Sequence, residues 1–203
     1  MLFFTGMAGR LCLFFQSFYF VRNAMRQTFE NIQIRETTVE DAEQLCRWWN
    51  DGSVMAHAGF PNGLGTTVEK IRAQIEGNAT GRRRDNQRHM ILLDGVPIGE
   101  MNYCESEPGV CEIGIKICEA SRQNKGLGKI VLSLFIRALF REYGYKKIVL
   151  DTNLTNTRAQ HVYEQLGFKK LRVNVNSWKD QLGAWQSSVD YELTEDSFVS
   201  WLP

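Results

Sequence analysis

Residues 122–129, Arg-Gln-Asn-Lys-Gly-Leu-Gly-Lys, place two glycines and two lysines directly ahead of a long apolar-periodic segment. A turn of this kind at the mouth of a helix suits an anion. The helix N-terminus offers unpaired N–H groups and a partial positive charge. The glycines remove the side chains that would hold a phosphate off the backbone, and Lys125 and Lys129 add formal charge. The group that fits is a phosphate or pyrophosphate. Neither common nucleotide fingerprint is present, G-x-x-x-x-G-K-[ST] or G-x-G-x-x-G. Taken alone, the turn also suits an ordinary helix start on a solvated face.

The elements around this turn follow from local pattern. Residues 32–37 alternate and predict a strand. Thr38 with Asp41 imitates a capping box and starts a helix through about Trp49. Residues 50–65 are rich in Gly, Asn and Pro and read as a loop. Thr66 with Glu69 repeats the cap signal for a second helix, and 81–88 is a polar loop whose Arg82–Arg84 run reads as a solvated turn. Residues 89–103 form two strands around Asp94-Gly95, and 111–117 are another strand. A helical stripe then begins near Gly126 and stops at Gly144. Residues 146–152 are a buried strand, 156–168 a helix ending at Gly167, and 170–175 and 187–193 two closing strands. The expected class is α+β, one domain with a mixed, mostly antiparallel sheet of about seven strands flanked by about four helices.

Bulk properties narrow the function classes. The 203 residues suit one domain over 25–203, with 1–24 as an apolar extension of uncertain status. The run 11–21 is broken by Gln16 and Ser17 and is shorter than the roughly 20 residues a membrane span needs. Translation starting at Met25, an interacting or membrane-touching helix, and a cleaved signal are all open for it. A net charge of +1 gives no reason to expect nucleic acid or an anionic membrane as partner. Cys12, Cys46, Cys104, Cys111 and Cys118 are scattered, as free thiols of a reducing, cytoplasmic setting would be. His57, His89 and His161 show no metal-ligand spacing, so no metal is expected.

The turn does not stand alone. Gln123-x-x-Gly126-x-Gly128 after an apolar strand resembles the acetyl-CoA loop of the GNAT (GCN5-related N-acetyltransferase) superfamily. One strand later, Asn156, Ala159, Tyr163, Gly167 and Phe168 match that family's N-x-x-A-x-x-x-Y-x-x-x-G-F hallmark. The resemblance covers about residues 32–193 and extends to the branch of ribosomal-protein alanine, aminoglycoside and polyamine acetyltransferases. It implies splayed central strands and acetyl transfer from acetyl-CoA to a primary amine, small-molecule or peptide N-terminal, by direct attack in a ternary complex. A non-catalytic module that binds acetyl-CoA or CoA is the alternative.

By matching position, the resemblance implies that the backbone of Ile115, Lys116 and Ile117 pairs with the pantetheine arm, one N–H polarising the thioester carbonyl. Gln123, Asn124, Lys125, Gly126, Leu127, Gly128 and Lys129 would hold the pyrophosphate. Asn156 would bond the pantetheine, with Ala159 in the same motif, and Tyr163 would protonate the leaving thiolate. Glu112 or Asp151 would be the base, or a water chain would serve instead; each carboxylate is as well explained as a surface charge or strand-end partner. His161, two residues before Tyr163, reads as a solvated position.

The family builds its acceptor pocket from the regions that correspond here to 47–63 and 176–188. Trp49, His57, Phe60 and Trp178 would wall it, with Trp48 and Trp185 as further aromatic candidates and Asp51 or Asp180 meeting a cationic amine. Trp48 and Trp49 stand about 100° apart on a helix, so at most one is expected to face fully inward. A terminal strand such as 187–193 would expose an edge on which a second copy could pair.

Overall fold

The computed structural model describes residues 25–79 and 86–202. The apolar run 11–21, the alternatives for residues 1–24 and the Arg82–Arg84 turn fall outside them. Eight strands form one sheet: β1 (Arg26–Phe29), β2 (Ile32–Glu36), β3 (Gln87–Leu93), β4 (Val96–Glu107), β5 (Val110–Ile117), β6 (Lys147–Asn153), β7 (Lys169–Lys179) and β8 (Trp185–Thr194). Their spatial order is β1-β2-β3-β4-β5-β6-β8-β7. Only the β5–β6 contact is parallel. The helices are α1 (Ala42–Asn50), the four-residue α2 (Gly52–Met55), α3 (Val68–Ala79), α4 (Leu127–Arg141) and α5 (Thr157–Gln165). The α+β class and mostly antiparallel sheet are as expected. Among the described residues no helix is long and apolar enough to cross a membrane.

The cap ahead of α1 forms as the sequence suggests. Asp41 accepts the Thr38 N–H at 2.8 Å and is also gripped by both terminal nitrogens of Arg35, at 2.7 and 2.8 Å. The second cap moves by one residue. Thr67, not Thr66, accepts the Lys70 N–H at 3.4 Å. Thr66 is instead held by Asn50, whose side chain bonds both its N–H and its carbonyl at 2.9 Å.

Two features lie beyond the local pattern. β1 carries only half-buried or exposed side chains, so it has no apolar signature and is recruited by its register on β2. β7 and β8 run on into a long hairpin through residues 176–188, past an irregularity between Asn174 and Trp178 where Asn176 takes φ +48°. This hairpin also corrects the expected edge. β8 is enclosed by β6 and β7, so the outer strand on that side is β7 and not 187–193.

Side chains alternate across the sheet. Along β5, Cys111, Ile113, Ile115 and Ile117 join the core under α4 and α5, with Phe135, Leu139, Ile148 and Tyr191. The opposite face packs on α1 and α3 through Leu45, Trp48, Trp49, Ile71 and Met90. Glu112, Gly114 and Lys116 fall on that second face by alternation. β5 and β6 then part: they pair only from Val110 to Glu112 against Lys147 to Val149, although β5 runs to Ile117 and β6 to Asn153. The central strands are therefore splayed, as the family resemblance implied.

Candidate functional site

The gap between β5 and β6 opens toward the start of α4. Beyond Glu112, β5 stays hydrogen-bonded to β4 as far as Ile117, so its other edge over 113–117 faces no strand. Alternate backbone groups of this stretch, including part of Ile115–Ile117, are left for a bound chain. Gln123 donates its side-chain N–H to the Ile117 carbonyl at 2.8 Å, fastening the glycine turn to the end of the strand.

The turn itself needs left-handed backbone. Asn124 takes φ +60° and Gly126, the N-cap of α4, takes φ +77°. A Cβ added at Gly126 or Gly128 would meet nothing within 4 Å, so both glycines border open space. Lys125 is exposed, and Lys129 lies in the first helical turn with its ammonium 3.4 Å from the ring centroid of Trp201. Arg158 donates to the Asn124 side chain at 3.0 Å and so joins the turn to α5. This arrangement of free N–H groups, open space and basic side chains fits a pyrophosphate.

The second motif divides into structural residues and one that structure does not account for. Asn156 caps α5: its side-chain oxygen accepts the Ala159 N–H at 3.3 Å, while its amide donates weakly to Thr152 at 3.4 Å. Ala159 is half-buried against the core. A Cβ at Gly167 would lie 1.8 Å from the Ser197 carbonyl, so only glycine allows the C-terminal segment to pass there. Phe168 packs on Tyr163 at 5.7 Å. The Tyr163 ring also meets Tyr191 edge-on at 5.8 Å, yet its hydroxyl has no hydrogen-bond partner among the described residues. Burial pushes the Tyr163 pKa well above its ordinary value, and the Asp151 charge adds to this. The phenol is held protonated and lies within reach of Asp151's field.

Glu112 occupies the last paired register of β5, opposite Val149. Asp151 is two residues further along β6, on the same face as Val149 by alternation, and half-buried. The two carboxylates thus stand on the α1–α3 side at the point where the strands part. His161 is exposed on α5.

The predicted acceptor segments come together. Trp178 lies against Gly59, so the hairpin end touches the loop after α2. Gln181 makes the closest ties: its N–H bonds Gly59 O at 2.8 Å, its amide donates to Gly63 O at 3.0 Å, and its oxygen accepts the Asn62 N–H at 2.9 Å. His57 is exposed and Phe60 half-buried beside this contact. Trp49 is placed differently, only 3% exposed with its indole N–H bonded to Glu100 at 2.9 Å. Trp48 is equally buried and bonds Glu119 at 2.8 Å. Both tryptophans face inward, against expectation, because α1 packs on both the sheet and α3. Asp51 and Asp180 are committed to local structure. Asp51 caps α2 through Ser53, which lowers its pKa, and Asp180 accepts the N–H groups of Leu182 and Ala184 and the Gln186 amide. Both carboxylates thus close local turns, Asp51 through one of its oxygens.

No motif or periodicity singles out Gln181 or Glu100 in the sequence. Glu100 is a buried carboxylate bonded by Arg88, by Lys116 at 3.1 Å and by Trp49. Burial alone would raise its pKa, but the charges of Arg88 and Lys116 outweigh it and hold the value down to about 2. A lone acidic residue within a strand pattern was the only signal available. Among the described residues no group of His, Cys, Asp and Glu is placed to hold a metal ion.

Comparison with known proteins places this geometry in a family context. The family model described as acetyltransferase (GNAT) domain matches residues 31–169. An aminoglycoside N(6')-acetyltransferase type 1 from Klebsiella pneumoniae is 25% identical over 153 residues, covering 70% of this chain and 75% of that protein. A ribosomal L7/L12 alpha-N-protein acetyltransferase solved with coenzyme A superposes with TM-score 0.72 at 15% identity, over 85% of this chain and 99% of the other. Spermidine N-acetyltransferase from Vibrio cholerae, solved with CoA and spermine, gives TM-score 0.71 at 18% identity, over 82% of this chain and 97% of the other.

Proposed function

The chain belongs to the GNAT acetyltransferase family, and on that premise we propose that it moves the acetyl group of acetyl-CoA to a primary amine, in a small molecule or at a peptide N-terminus, by direct attack in a ternary complex. The observation that carries this reading is the parting of β5 and β6 beyond Glu112 and Val149, next to the open glycine turn at α4. Relatives named for aminoglycoside and spermidine acetylation share an amine acceptor, which favours that class here.

Acetyl-CoA supplies the activated acetyl group as a thioester. The free edge of Ile115, Lys116 and Ile117 aligns the pantetheine arm, and one N–H there polarises the carbonyl. Residues Gln123 to Lys129 take the pyrophosphate. The Asn156 oxygen is occupied by the cap, so its amide N–H is the group left for a pantetheine carbonyl. Tyr163 donates to the departing sulfur. Its raised pKa keeps it a donor but makes full proton transfer to a thiolate of pKa ~8.5 uphill, so its share is a strong hydrogen bond. Asp151 lies past the last paired register and is half-exposed; it takes the amine proton through water, with Glu112 behind it. His57, Phe60 and Trp178 border the acceptor.

The test is thiol release from acetyl-CoA across a panel of polyamines, aminoglycosides and peptide N-termini. Release with at least one amine, lost in Gly128→Trp, supports the reading. A folded chain that binds CoA and turns over no amine is the non-catalytic module instead.

A further inference from the structure

The C-terminal tail lies beyond the matched family region, yet it is fastened to the helix that starts at the glycine turn. The Trp201 N–H bonds the Ser133 hydroxyl at 2.9 Å, and its indole N–H reaches the Gln165 carbonyl at 3.4 Å. The first anchors the Trp201 backbone on the second turn of α4, and the second holds its indole at the end of α5. Trp201 is nevertheless 45% exposed. On one face it carries the Lys129 ammonium, 3.4 Å from the ring centroid. Lys129 is otherwise without an acidic partner among the described residues.

We propose that Trp201 is a positioning residue for coenzyme A binding: it holds Lys129 at the glycine turn so that the ammonium meets the pyrophosphate already oriented. The proposal rests on the cofactor reading above. A lysine side chain has four rotatable carbons and gives up much rotamer freedom when it binds. An indole that already holds the ammonium of Lys129, three residues on from Gly126, removes part of that cost beforehand, by an attraction between cation and ring face. Ser133 and Gln165 matter because they fix the indole, and the tail that bears it, against α4 and α5.

The experiment is calorimetric titration of the full chain with CoA and, separately, with pantetheine, which lacks the pyrophosphate. Trp201→Ala is expected to weaken CoA binding about two- to fivefold, the worth of an exposed cation–ring contact, and to leave pantetheine binding unchanged. Trp201→Phe keeps a ring face and restores most of the CoA affinity. In a Lys129→Ala background the Trp201→Ala change has no further effect. A Trp201→Ala protein that binds CoA like wild type, loses both ligands equally, or adds its loss fully to that of Lys129→Ala overturns the proposal while leaving the cofactor reading intact. Wild-type protein that binds no CoA overturns the cofactor reading itself, and this inference with it.

Discussion

The six-membered ring of Trp178 covers Gly59 so closely that a Cβ there would sit 2.4 Å from its Cζ3 atom. Residues 119 positions apart are brought into contact, and Gln181 holds them with bonds to Gly59, Asn62 and Gly63. The end of the β7–β8 hairpin and the loop after α2 therefore form one lip beside the gap between β5 and β6. In the proposed function this lip shapes the acceptor side, while the turn at α4 serves the cofactor.

Gln181→Ala separates the two halves. Removing two side-chain hydrogen bonds, each worth about 1 kcal/mol, loosens the lip without touching α4. The expected result is a rise of about three- to tenfold in KM for the amine and no change in KM for acetyl-CoA, read from initial rates with each substrate varied in turn.

Tyr163→Phe removes a hydroxyl that has no hydrogen-bond partner among the described residues, so the fold should not register the change. The melting temperature and the CoA dissociation constant are expected to stay at wild-type values. kcat is expected to fall about 100-fold, the usual effect of losing one well-placed donor to a developing charge. An unchanged kcat would assign the tyrosine to the core alone.

His89 provides a stability test independent of the site. It is fully buried, stacked on Tyr103 and edge-on to Phe135, with Nε2 unpartnered. Burial lowers its pKa from 6.5 to about 4. The unfolded chain therefore binds a proton that the folded chain refuses between these values, and stability falls as pH drops from 6.5 toward 4. Between pH 7.5 and 5 the loss is about 2 kcal/mol. Urea unfolding at both pH values checks it, and His89→Phe is expected to remove most of the difference.

What could be read from sequence was what is encoded locally. The two motifs, the Thr38–Asp41 cap and the Asp94-Gly95 hairpin each reside within about a dozen residues. The parting of β5 and β6 came only with the family resemblance, since it depends on a register between distant strands. β1 was missed because Arg26 to Phe29 has no apolar face, and Gln181 and Trp201 because their partners are far away in sequence. Trp49 was misplaced for the opposite reason. Its type suits a binding wall, but burial against α1's neighbours and the bond to Glu100 are tertiary facts. Asp51 and Asp180 were available by composition, and the turns they close had first use of them.

In the proposed function the open turn at Gly126 and Gly128 receives the pyrophosphate of acetyl-CoA. It is tested most directly by titrating the full chain with acetyl-CoA, beside Gly128→Trp. No atom lies within 4 Å of a Cβ there, and Gly128 lacks the left-handed backbone of Gly126, so the tryptophan fits the apo fold and fills only the open space. Saturable binding is expected of wild type, and none of a variant whose circular dichroism and melting are unchanged. Equal binding by both proteins would place the cofactor elsewhere and contradict the account.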